Sequence, residues 1–145
     1  MSVKNPLKKQ KTTPKLNENK SDIISFSFEK ITSEKEYNFE CFDRKGKNGG
    51  EIAKAFFQKL VSLSNLSAIN FFAAHKKTMW EVMTARNFLA TRFVKSLNLG
   101  VDENIYITRF GSQKYRFAFL RHPKDKNILQ IIGIDIDLSW YDHGS

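Results

Sequence analysis

Apolar residues follow two rhythms along this chain, and the change of rhythm marks out its elements. Residues 1–21 carry Lys, Asn, Thr and Pro and almost no large apolar side chain. Such a stretch buries too little surface to offset the entropy of ordering, so its composition predicts a disordered basic tail. From residue 22 the pattern becomes that of a single folded domain, residues 22–145. Ile24, Phe26 and Phe28 alternate with serines, the period of a half-buried strand, and Tyr37, Phe39 and Cys41 repeat that alternation after a polar link. The reading is an N-terminal β-hairpin. Residues 43–50 hold three cations and three glycines and predict an exposed loop.

At Glu51 the period lengthens. Ile52, Phe56, Leu60 and Leu63 recur at helical spacing, and residues 64–67 break that helix and offer caps for a short one through Phe71 and Phe72. After His75-Lys76-Lys77, Thr78 and Glu81 have the spacing of a capping box, which opens a third helix running to Leu97 and stopped by Gly100. The last third returns to strands at 105–110, 114–120 and 128–136, joined by short turns. Short links favour antiparallel neighbours, so these residues predict a three-stranded antiparallel meander. The third of these strands is apolar on both faces and belongs inside the sheet. The class is therefore α+β: a hairpin, about three central helices, then the meander.

Composition adds a compartment and a partner. One cysteine, Cys41, makes neither an intramolecular disulfide nor a thiolate zinc cluster, which fits a reducing, cytoplasmic setting. No apolar run approaches the ~20 residues that span a bilayer, and the first twenty residues lack the apolar segment of a secretory signal, so no membrane partner is expected. The formal net charge is +9, and residues 1–20 hold six lysines against one glutamate, +5 of that total. Excess positive charge concentrates polyanions near the surface. Nucleic acid therefore leads as partner, ahead of an acidic protein.

Candidate chemistry gathers on the middle strand of the meander and at the chain's last residues. Lys114 and Arg116 share one face, and Tyr115, Phe117 and Phe119 share the other. Arg109 and Arg121 lie near strand ends, with Lys124 and Lys126 in the following turn. Cations beside an aromatic row suit a phosphate backbone and stacked bases, whereas the plainer alternative is a solvated outer face over an aromatic core. Asp135 and Asp137 project from one face of the last strand and need partners, for which Lys114 or Arg116 next door would serve. Together with Asp142 they also have the chemistry of a magnesium site, but so short an acidic pattern is common, and no metal or other cofactor is assigned. The three histidines, His75, His122 and His143, have no ligand spacing among themselves. His143 titrates near neutrality and can serve as general acid or base, with Tyr141 beside it to position a reacting group. No phosphate-binding glycine loop and no nucleophile elbow is present.

The run Lys114-Tyr115-Arg116-Phe117-Ala118-Phe119, the apolar strand 128–134 and the terminal Tyr141-Asp142-His143 resemble the core of the RelE/HigB-like toxin superfamily. These are small basic prokaryotic α+β proteins that cleave messenger RNA, often on the ribosome, and are silenced by an antitoxin. The resemblance implies that Lys114, Arg116 and Arg121 steady phosphate charge and that His143 or Tyr141 assists proton transfer. It also implies RNA or the ribosome, and an acidic antitoxin-like protein, as partners. Two classes follow: a metal-independent endoribonuclease of a toxin–antitoxin or mobile-element system, and a non-enzymatic accessory module of a mobile element or defence system that binds nucleic acid or protein. The first requires Lys114, Arg116, Tyr141 and His143 to converge on one concave surface, while the second requires only a basic face.

Overall fold

The strand rhythm of the last third builds the centre of the molecule. A computed structural model describes residues 22–74 and 79–141. The expected tail, the His75-Lys76-Lys77 break, Thr78 of the capping box, and Asp142 and His143 all lie outside those residues. The described elements are β1 (Ser25–Ser27), 3₁₀ turns at Lys35–Tyr37 and Phe39–Asp43, α1 (Gly49–Ser64), α2 (Ala68–Ala73), β2 (Glu81–Thr84), a 3₁₀ turn at Ala85–Asn87, α3 (Thr91–Leu97), β3 (Asn104–Phe110), β4 (Tyr115–Arg121) and β5 (Ile128–Asp135). The fold is α+β around one five-stranded mixed sheet, ordered β1-β5-β4-β3-β2.

The expected layout of a hairpin beside a separate three-stranded meander is not what forms. β3, β4 and β5 pair antiparallel, but they are the middle of a larger sheet whose edges are β2 and β1. β1 runs parallel to β5, Phe26 opposite Leu129, and has no hairpin partner among the described residues. The residues read as its partner coil into 3₁₀ turns instead. Asn38 accepts from the amide of Glu40 and so caps the second turn, and the four-residue spacing of Tyr37 and Cys41 places one in each hydrophobic core. Alternation over three apolar residues does not separate a strand from two short turns, and here Tyr37 and Cys41 are buried while Phe39 is exposed.

The third helix is also revised. Glu81–Thr84 is an edge strand, Val82 opposite Tyr106 and Met83 opposite Ile105, and helix returns only at Thr91. The β-branched Val82 and Thr84 accept pairing with β3, and that tertiary ladder overrides a capping-box signal. α3 stops before Gly100, because Asn98 adopts the left-handed conformation (φ 57°).

Both faces of the sheet are covered. α1 and α2 bring Ile52, Phe56, Leu60, Leu63 and Phe71 onto Phe117, Phe119, Leu129 and Ile131. On the other face Phe93 of α3, Phe88, Tyr37 and Trp140 pack on Ile105, Ile107, Ala118 and Ile132. The sequence pattern groups Phe56, Leu60, Phe93, Phe117, Phe119 and Ile132 in a single core; Phe93 and Ile132 belong to the second. A register shift explains part of this. Ala118 faces Gly133 while Phe119 faces Ile131, which leaves Ile132 as the extra residue of a bulge.

Candidate nucleic-acid interface

Register lines up three charged residues across the sheet near the β3–β4 turn: Asp135 of β5 opposite Arg116 of β4, and Arg116 opposite Arg109 of β3. The cross-strand Asp135–Arg116 ion pair that this alignment offers does not form. The Asp135 carboxylate, fully buried, instead accepts hydrogen bonds from the amides of Asp137 (3.1 Å), Ser139 (2.8 Å) and Trp140 (3.0 Å) and from the Ser139 hydroxyl (3.3 Å). Burial pushes its pKa above the usual carboxylate value, against those hydrogen bonds. Asp137 turns outward to Arg44 and to Lys47 (3.1 Å), two cations of the loop before α1. Lys114 and Arg116 are therefore not the partners of the two aspartates.

The turn that Asp135 holds delivers the chain's aromatic pair. Leu138 takes a left-handed conformation (φ 57°), and Trp140 enters the second core stacked on Phe93, ring centroids 4.8 Å apart. Tyr141 then meets Arg116: the guanidinium Nε donates to the phenol oxygen at 3.0 Å. The phenol proton goes on to Oε1 of Glu81 at 2.7 Å, and Arg109 donates to Oε2 of Glu81 at 3.1 Å. Burial, then the Glu81 hydrogen bond, push the Tyr141 pKa up to about 12, with Arg116 opposing the rise. Tyr141 keeps its proton at neutral pH and acts there as a donor, not a base. Arg116 is only 4% exposed, and its Nη1 is buried with no hydrogen-bond partner among the described residues. None of the described carboxylates reaches it within ion-pair distance.

The residues singled out from sequence thus divide. Arg109, Arg116 and Tyr141 come together, and exposed Lys114 sits in the adjoining turn. Arg121 is at the other end of β4, five residues and about 17 Å from Arg116 at strand rise. Its guanidinium lies 3.6 Å from the centre of the Phe72 ring and donates to the Lys126 carbonyl at 3.4 Å. Lys124 and Lys126 are exposed in the turn beyond it. The seven described side chains do not share one face, and His143 lies outside the described residues. The aromatic row is core rather than stacking platform, since Phe117 and Phe119 are sealed beneath α1 and α2. Among the described residues no group of three His, Cys, Asp or Glu is placed to hold a metal ion, and no helix is long and apolar enough to cross a membrane. Sequence reasoning missed Glu81, whose role depends on β2 pairing beside β3, and missed that Arg44 and Lys47 are held by Asp137. Comparison with protein-family models, curated protein sequences and solved structures returns no match.

Proposed function

We propose that this protein binds RNA through its phosphate backbone, with the Arg109–Arg116 end of the sheet as the contact, as an RNA-directed module of a toxin–antitoxin or mobile-element system. The observation that carries this reading is Arg116: a nearly buried guanidinium with an unpartnered nitrogen, a second arginine directly across the ladder, and no carboxylate at ion-pair distance among the described residues. Glu81 meets this cation only through the Tyr141 phenol, and a phosphate oxygen would supply a direct charged acceptor. The reading keeps RNA or the ribosome, and an acidic antitoxin-like protein, as partners, and a cytoplasmic setting. Arg116→Met should weaken affinity for single-stranded RNA ~10-fold or more at moderate salt, with the fold retained by circular dichroism. Binding by a folded Arg116→Met protein at wild-type affinity would remove the contact.

Cleavage is a second reading, favoured by the 3.0 Å contact of Arg116 with Tyr141. In it Arg116 stabilises charge developing on the phosphate and Tyr141 donates a proton, while the base falls to His143. RNA bound but left intact by the wild-type protein, with and without ribosomes, would leave the binding module alone.

A further inference from the structure

A depression of about 360 Å³ lies between α1 and the β3–β4 turn, lined by Gln58, Lys59, Arg109, Ser112 and Gln113 among others, none of them acidic. We propose that this depression is a phosphate-binding seat, with Lys59 as its cation and the polar residues of the turn as its further contacts. The seat shares Arg109 with the proposed RNA contact but does not include Arg116, and its cation is Lys59. Three observations on the described residues support it.

Lys59 is half-buried on α1 and forms no ion pair with any described carboxylate. Its pKa is lowered, with desolvation as the cause, which marks a cation taken partly out of water with nothing of opposite sign beside it. An anion in the depression reverses that penalty. The volume is ample, since a water molecule takes about 30 Å³ of the liquid and a phosphate group needs only a few times that. The turn is also held against the helix. Gly111, Ser112 and Gln113 all have positive φ (62°, 57° and 72°). The Tyr115 ring closes over Gly111 where a side chain would stand, and the Ala55 methyl is 3.7 Å from that same point. Ser112 and Gln113 share the wall of the depression with Gln58 and Lys59, and a turn already in this conformation lowers the ordering cost of binding.

The test is a titration of the full chain, followed by amide NMR, with inorganic phosphate in one arm and a short oligoribonucleotide lacking terminal phosphates in the other. Phosphate should shift the amides of Gly111, Ser112 and Gln113. Lys59→Met should weaken that binding about tenfold, and Lys59→Arg should retain it. Shifts with both ligands support the seat and name a phosphodiester as its occupant, whereas shifts with phosphate alone support it for a free phosphate or phosphomonoester. Absence of turn shifts in both arms, or equal phosphate affinity in folded Lys59→Met, overturns the proposal. Loss of RNA affinity in Arg116→Met is read separately, so each result stands apart from the other.

Discussion

Asp135 and Arg116 stand opposite one another, yet each finds its partners elsewhere, and the position of Tyr141 depends on both. Asp135 spends its oxygens on three backbone amides and a hydroxyl, which fixes the turn through residue 140 and so brings the Tyr141 phenol to Arg116. A carboxylate with a raised folded-state pKa binds its proton more tightly in the fold than in the unfolded chain. Its contribution to stability is therefore fully present below the unfolded value of about 3.9 and is lost as pH rises through the higher folded value. Asp135→Asn should abolish that slope in melting experiments across the acid range. It should also cost ~1–3 kcal/mol at neutral pH, because an NH₂ group replaces one acceptor among donors. An unchanged pH slope in the variant would assign the effect to another group. Of this site, the sequence makes Arg116 and Tyr141 legible as candidates, because residue type alone marks them. Glu81 and the Asp135 turn are not legible, since their roles come from contacts between residues 60 apart and from a left-handed backbone at Leu138.

Among the elements, legibility follows the length of the connection. β3, β4 and β5 are joined by short turns, and their pairing can be read from alternation and turn residues. β1 pairs with β5 across about a hundred residues of sequence, and no local pattern encodes a parallel neighbour so remote. The same limit explains why Glu81–Thr84 is read as helix. Its four residues become a strand only because the edge of β3 is unoccupied on that side. Packing between α3 and β5 shows how tightly the second face is fitted. A methyl group on Gly133 would overlap the edge of the Phe93 ring, with Trp140 3.3 Å away, and Phe93 is itself fully buried and stacked on Trp140. Gly133→Ala should cost ~1–3 kcal/mol by overpacking. Trimming the ring should relieve it, so Gly133→Ala with Phe93→Leu should destabilise by less than the two single changes together. Additive costs in denaturant melts would show that the two positions do not compete for space.

For the whole molecule, much of the positive charge falls where composition predicts no core. Every buried residue of the described chain lies between Ile24 and Trp140, and composition predicts no stable structure for residues 1–20. Those residues nevertheless carry +5 of the formal +9. Stability and polyanion attraction should therefore respond differently to their removal. Neutralising phosphates releases counterions, and for single strands the log of affinity falls with log salt by about 0.7 per phosphate contacted. A protein lacking residues 1–20 should bind RNA with a slope shallower by about 1–4, the upper figure corresponding to all six lysines making contact. Its melting midpoint should shift by less than about 2 °C, because a cooperative domain of this size moves by several degrees only when ~1 kcal/mol of native contacts is lost. Combining the truncation with Arg116→Met sorts the two sources. A tail that supplies only long-range attraction leaves the fold-loss from Arg116→Met the same in both backgrounds. If the Arg116→Met loss vanishes in the truncated protein, the lysines hold the RNA on Arg116 and the two act as one surface. A slope unchanged by truncation would place all the phosphate contacts on the folded domain.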